Sequence, residues 1–358
     1  MQADIAIVGA GVMGCALALE LAERGRSVVV LERSIPGAEA SSAAGGILGA
    51  QAESPGPGPF LELALASRAL WRGLAPRLGE VGYRDSGLLK VALDEADLVW
   101  LEGIARWNEQ LGLPCRRLDA HEVASLQPGL SSQVMAGLLF PEDGVVDAQL
   151  LPSALAALAT SAGARIVSGG EVRGLAREGR RVIGLETSKG AVLADKVVIC
   201  AGAWTRKVLP TLSVEPVRGQ ILVLRGEPGQ LGPVTFSRQG YMVPRADGRV
   251  LVGSTMERVG FVDEVTLGGL HRVSGIAMEL MPGLSGARVV DYWAGLRPGT
   301  PDNLPLIGPS GREGVEVLSG HFRNGILLTP ISARLMAQRL CGERTDLSLA
   351  PFDPRRFL

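Results

Sequence analysis

Three glycines, at positions 9, 11 and 14, are the first residues in the chain whose spacing points to chemistry. They stand in Gly9-Ala-Gly11-Val-Met-Gly14, directly after the apolar run Asp4-Ile-Ala-Ile-Val8. In a strand-to-helix turn of this spacing, the first glycine allows the tight turn. The second lets the backbone approach a pyrophosphate, and the third lets the helix pack close to the strand. The N–H groups and dipole of that helix then face the phosphates. About 20 residues further on, Glu32 closes the next apolar run, where a carboxylate suits the hydroxyls of an adenosine ribose. An acid there, rather than a base, disfavours a 2′-phosphate. The spacing by itself also fits a tight turn in an unrelated α/β domain, and the strand, helix and acid around it favour a dinucleotide. Which dinucleotide, NAD or FAD, the motif leaves open.

These residues need a βαβ unit to hold them, and the flanking pattern supplies one. Residues 4–8 read as a buried strand, and residues 12–24 as a helix with Val12, Ala16 and Leu19 on one face. Arg24 suits the C-terminal dipole, Gly25 a C-cap, and 27–31 a second strand. Further helices are expected over 60–78, 94–112, 149–162, 267–280 and 325–340. Strands are expected over 164–168 and 197–200, a hairpin over 172–187, and antiparallel alternation over 214–256. The fold class expected is α/β, an FAD-type Rossmann-like domain of the glutathione-reductase kind with an inserted antiparallel-sheet substrate domain. The nucleotide domain would be discontinuous, taking 1–84, 138–213 and 291–358, and the substrate domain 85–137 and 214–290.

With 358 residues, 46% of them hydrophobic, the chain can bury two joined cores. A net charge of −1 argues against a nucleic-acid partner, which needs a basic excess. Cys15, Cys115, Cys200 and Cys341 form no CxxC pair, and with His121, His271 and His321 they offer no zinc spacing, so no metal is expected. Acidic Asp4 precedes an apolar run that the glycines interrupt, unlike a signal peptide, and no run is long enough to span a bilayer. A cytoplasmic protein with no membrane partner is expected.

Longer segments carry a family likeness. They are Ser41-Ser-Ala-Ala-Gly-Gly-Ile-Leu-Gly-Ala-Gln-Ala-Glu53, Tyr241-Met-Val-Pro-Arg245, Gly253-Ser-Thr-Met256, Trp293-Ala-Gly-Leu-Arg-Pro-Gly-Thr-Pro-Asp302, Leu304-Pro-Leu-Ile-Gly308 and Gly320-His-Phe-Arg-Asn-Gly-Ile-Leu-Leu-Thr-Pro330. With these the chain resembles the D-amino-acid-oxidase-like flavoproteins, and within them the glycine-oxidising branch that serves thiamine thiazole synthesis. The likeness covers essentially the whole chain and is loose over 60–140.

The resemblance implies FAD, held by Gly9, Gly11, Val12, Met13 and Gly14, by Glu32 and Arg33, and by Ser41, Ser42, Gly45, Gly46 and Ile47. Val172 matches a position whose backbone contacts the adenine side. Ala201-Gly202, at the end of the apolar run from Val197, resembles a second glycine turn of FAD proteins. His321, Phe322, Arg323, Asn324, Gly325, Ile326 and Leu327 would lie along the flavin, with a helix N-terminus aimed at its pyrimidine side. Gly295 stands where some relatives carry a linking cysteine, so the FAD should be non-covalent.

For the substrate, the resemblance makes Arg297 the carboxylate-binding fork. The alternative is an arginine paired with Asp291 or Asp302. Tyr241 would reach the same carboxylate, or else be a core tyrosine, and Arg323 would be a second active-site arginine. Gln239, counted with these three as substrate-binding, replaces a histidine two residues before the tyrosine, which puts substrate preference near it in doubt. The activity implied is hydride transfer from a small amino acid to the flavin, imine hydrolysis to glyoxylate and ammonia, and reoxidation by O2 to peroxide. The alternative is a sarcosine or small D-amino-acid oxidase or dehydrogenase of the same fold. Relatives form homo-oligomers, often tetramers, so a homo-oligomer is expected.

Overall fold

In the computed structural model, residues 1–226 and 232–358 are described; residues 227–231 of the expected antiparallel stretch lie outside them. Two eight-stranded sheets dominate. In the first, β1 (Gln2–Val8) lies at the centre, flanked by β2 (Val28–Glu32) and β11 (Gly190–Ile199). β8 (Arg165–Ser168) extends it on one side, and β18 (Val315–Ser319) with β17 (Leu306–Pro309) on the other. All these neighbours are parallel except β17, and the hairpin of β9 (Val172–Glu178) and β10 (Arg181–Thr187) joins β11 antiparallel.

One face of this sheet carries α1 (Val12–Glu23), α2 (Pro59–Leu78), α5 (Leu151–Ser161) and α8 (Gly325–Leu340). α1 is apolar nearly all round because α5 and α8 both pack on it. Its C-terminus follows the sequence: Gly25, just past the helix, has φ +74°.

The second sheet runs β16 (Val289–Gly299), β12 (Glu215–Arg225), β15 (Arg249–Gly253), β14 (Tyr241–Pro244), β13 (Val234–Phe236), β4 (Leu88–Ala92), β6 (Ala136–Phe140), β5 (Arg116–Asp119). Among the described residues only β13 and β4 of this sheet pair in parallel. α7 (Leu267–Leu280) and α4 (Ala120–Leu126) cover one face, and α3 (Glu95–Gln110) lies on the other. Side chains alternate between these faces: Ile221 and Val223 face one way, Leu222 and Leu224 the other. β3 (Ile47–Leu48) and β7 (Gly144–Val145) form a small ribbon, and α6 (Thr205–Val208) is a single turn.

The helices expected over 60–78, 94–112, 149–162, 267–280 and 325–340 all form, the last two with the expected ends and the others within two residues of them. Strands β4, β5, β6 and helix α4 were not read from the sequence. The expected boundaries at 137/138 and 290/291 fall inside β6 and β16, two strands of the second sheet. The hydrogen-bonded ladders run through both points.

Candidate active site

A long cleft opens at the carboxyl ends of the central parallel strands. Val8, Leu31–Glu32, Cys200 and Leu318–Ser319, at or next to the ends of β1, β2, β11 and β18, all line it. In open parallel sheets this is where ligands bind. The cleft then runs on to the inner face of the second sheet, where Gly219, Ile221, Tyr241, Gly295 and Arg297 form its wall.

At the nucleotide end the glycines act sterically as their spacing suggests. Gly9 has φ +99°, and a Cβ there would lie 2.6 Å from the Cys200 carbonyl oxygen. A Cβ on Gly14 would lie 1.9 Å from the Gly9 oxygen, so Gly14 sets the approach of α1 to the turn and does not line the cleft. Gly11, Val12 and Met13 do line it, and the N-cap of α1 brings no side-chain acceptor. Ser41 Oγ accepts from the Val12 N–H at 3.1 Å. Glu32 is buried, and its two oxygens accept from the Ala10 and Ser34 N–H groups at 2.9 Å each. Each oxygen keeps a lone pair for a further donor. Arg33 pairs with Glu39 and lies over the Trp204 ring, 4.2 Å from its centroid. Gly45, Gly46, Ile47, Val172, Ala201 and Gly202 are all in the cleft wall. Ser42 is not; its hydroxyl donates to the Glu39 carbonyl.

The run after β18 turns into α8 at the other side of the cleft. His321, Phe322, Arg323, Gly325 and Ile326 line it, and Asn324 and Leu327 do not. Leu327 serves as an anchor: its carbonyl accepts from Ser67 Oγ at 2.6 Å and Trp71 Nε1 at 2.9 Å, tying α2 to the first turn of α8. Asn324 is the N-cap of α8 and makes no side-chain cap bond. His321 is buried with its Nε2 3.0 Å from Ser332 Oγ, and burial depresses its pKa to about 3, so the ring stays neutral.

At the second sheet, Arg297 on β16 donates to Ser254 Oγ at 2.7 Å and to the Thr255 carbonyl at 3.2 Å. No carboxylate pairs with it among the described residues. Asp302 is engaged by Arg356, and Asp291 accepts from the Tyr292 N–H. The paired-arginine alternative therefore falls. Burial holds the Arg297 guanidinium below its ordinary proton affinity. Tyr241 stands beside it: its hydroxyl end packs against Gly45 and Gly253, where a Cβ would come within 3.1 and 2.7 Å of that oxygen.

Gln239 is elsewhere. It is exposed in a turn closed by the Ser237 N–H to Gly240 carbonyl bond at 2.9 Å, bordering a hollow with Asp94, Asp97 and Glu279. Two residues along a continuous strand would share Tyr241's face, but this turn ends the strand at Tyr241.

Sequence reasoning missed Gly219 and Glu53. A Cβ on Gly219 would lie 1.9 Å from Arg297 Nη1, so the glycine leaves the guanidinium its place. A lone glycine inside the apolar strand 217–224 was the signal available. Glu53 lines the cleft and accepts from Arg323 Nη2 at 2.8 Å. No helix among the described residues is long and apolar enough to cross a membrane.

A model of the DAO family, described as FAD dependent oxidoreductase, matches residues 4–339. The chain is 37% identical to the glycine oxidase of Geobacillus kaustophilus, over 99% of this chain and 97% of that one. It is 36% identical to the bifunctional protein ThiO/ThiG of Synechocystis sp., over 99% of this chain but 54% of the relative, so it spans about half the length of that protein. The crystal structure of the Geobacillus glycine oxidase superposes with a TM-score of 0.94 at 36% identity, over 98% of each chain.

Proposed function

The chain belongs to the DAO family of FAD-dependent oxidoreductases, and from that premise we propose that it oxidises the carbon–nitrogen bond of glycine. The products would be glyoxylate, ammonia and hydrogen peroxide. The imine that precedes glyoxylate would be supplied to thiazole assembly for thiamine, in keeping with the names of its relatives.

The cleft fits FAD on its own geometry. The Gly9–Gly14 turn leaves a backbone cradle that side chains would fill, and the N-terminus of α1, whose N-cap Gly11 brings no side chain, faces it. Glu32 keeps acceptor capacity for a ribose, and Ser41, Gly45–Ile47, Val172 and Ala201–Gly202 would hold the remainder. The N-terminus of α8 would put positive dipole beside the flavin. A Cβ on Gly295 would lie 2.6 Å from the Ala43 Cβ, so that position has room for no linking side chain, which supports non-covalent binding. Bound FAD supplies the oxidant, taking two electrons from the substrate and returning them to O2.

The chain's own task is to hold and orient. The observation that carries the reading is Arg297: a guanidinium in the cleft wall that meets only neutral oxygens, next to Tyr241. Its fork would take the substrate carboxylate in a bidentate grip. The Tyr241 hydroxyl would donate to the same carboxylate, which together fixes the position of Cα. His321 is too weak a base to take a proton near neutral pH and is engaged with Ser332, so it is not a general base for the amine.

With glycine and air, the holoenzyme is expected to release glyoxylate, ammonia and peroxide in equal amounts. Turnover of sarcosine or D-alanine with none of glycine would move the assignment to that alternative.

A further inference from the structure

Charged side chains crowd the substrate end of the cleft. Arg297, Arg323 and Glu53 line it, and buried Lys90 lies outside the lining with Glu53 and Arg323 among its charged neighbours. Lys90 occupies the same face of the second sheet as Tyr241: the register runs Lys90, Phe236, Tyr241 across β4, β13 and β14. Glu53 is withdrawn from solvent, its side chain 6% exposed, and it pairs with Arg323 at 2.8 Å. That carboxylate holds the Arg323 proton affinity above its ordinary range.

The segment carrying Glu53 is held in place. The Gln51 and Ala52 N–H groups donate to the fully buried Asp143 at 3.1 and 2.9 Å. Arg68 Nη1 bridges Asp143 at 2.9 Å and Gln51 Oε1 at 2.7 Å, and Gln51 Nε2 donates to Asn108 at 2.8 Å. A carboxylate set by such a network needs no rearrangement to act.

The charges then decide what fits. Glu53 pairs with Arg323, Arg297 meets no carboxylate among the described residues, and Lys90 is buried behind the lining rather than part of it, so the lining itself presents one unpaired cation. One arginine fork takes one carboxylate. A second carboxylate on the ligand would face Glu53, and like charges repel strongly where water is scarce. We infer that Glu53 is a specificity-determining residue: by cancelling Arg323 it restricts the site to amino acids with a single carboxylate. This rests on the amino-acid oxidation proposed above.

Malonate and malonamate have nearly the same size and differ by one charge, and their dissociation constants can be read from the visible spectrum of the flavin-loaded protein without turnover. The parent is expected to bind malonamate about tenfold or more tightly than malonate. In the Glu53→Gln holoenzyme that preference should vanish or reverse, because Arg323 then joins Arg297 as a second unpaired cation in the lining; Glu53→Asp should keep it. A parent that binds the two ligands equally, or a Glu53→Gln variant with the preference intact, overturns the inference. Should Glu53→Gln not hold flavin, the parent's ratio decides alone. Failure of the oxidase reading shows separately, as a parent that discriminates the two ligands yet never turns over glycine.

Discussion

Arg297 shows how much a single residue's surroundings decide. On sequence the partner of a structural aspartate was the lesser alternative to a carboxylate fork; the freedom of Arg297 from Asp291 and Asp302 is a property of the fold. Replacing it with alanine removes a charged bidentate contact, a loss of about 2–5 kcal/mol. Arg297→Ala should therefore raise the KM for glycine steeply while the flavin spectrum stays that of the parent, and an unchanged KM would remove Arg297 from carboxylate binding. Residues whose role rests on backbone geometry, such as Gly9 and Gly14, were legible because the motif is local. Glu53 was not, although its segment was recognised. Its meaning depends on Arg323, 270 positions away. Gln239 misled for the opposite reason: proximity in sequence to Tyr241 counted for nothing once the chain turned at Gly240.

Among the elements, the βαβ unit and the long amphipathic helices were readable, since periodicity and capping are written within a dozen residues. The strands β4, β5 and β6 escaped because they are short, lie in the stretch where the family likeness is loose, and gain order from partners far off, such as β4 with β13. The closeness of β12 and β16 is the element-scale feature on which the site depends. In their register Gly219 opposes Gly295 and Val217 opposes Arg297, which lays the guanidinium across Gly219. Gly219→Ala would force that guanidinium aside, with overpacking of about 1–3 kcal/mol. The expected result is a raised KM with flavin retention unchanged, measured by steady-state kinetics and the absorbance of dialysed protein. A parent-like KM would mean that the two strands can part without moving Arg297.

For the whole molecule, two sheets meet along one cleft, and that junction was not legible from composition or periodicity. It is made by side chains drawn from both ends of the chain, and it buries charge. Lys90 is the clearest case: burial lowers its pKa from 10.5 to about 8, while its ammonium lies 4.3 Å from the Trp100 ring centroid. Between those values the unfolded chain binds the extra proton, so stability rises with pH through the window and the cost is fully present below it. Lys90→Met should accordingly stabilise the fold at pH 7 by about 3 kcal/mol, read as a raised Tm, with the gain shrinking as the pH climbs past 8 toward 10.5. A variant less stable than the parent at pH 7 would show that the aromatic contacts and Glu53 outweigh the burial. The central claim concerns the cleft as a unit, flavin at one end and Arg297 at the other. Its most direct test is to add glycine anaerobically to the purified, flavin-loaded protein and follow the visible band. Bleaching by glycine, reversed on admitting air with release of peroxide, is the predicted result. A yellow protein that glycine never bleaches would contradict it.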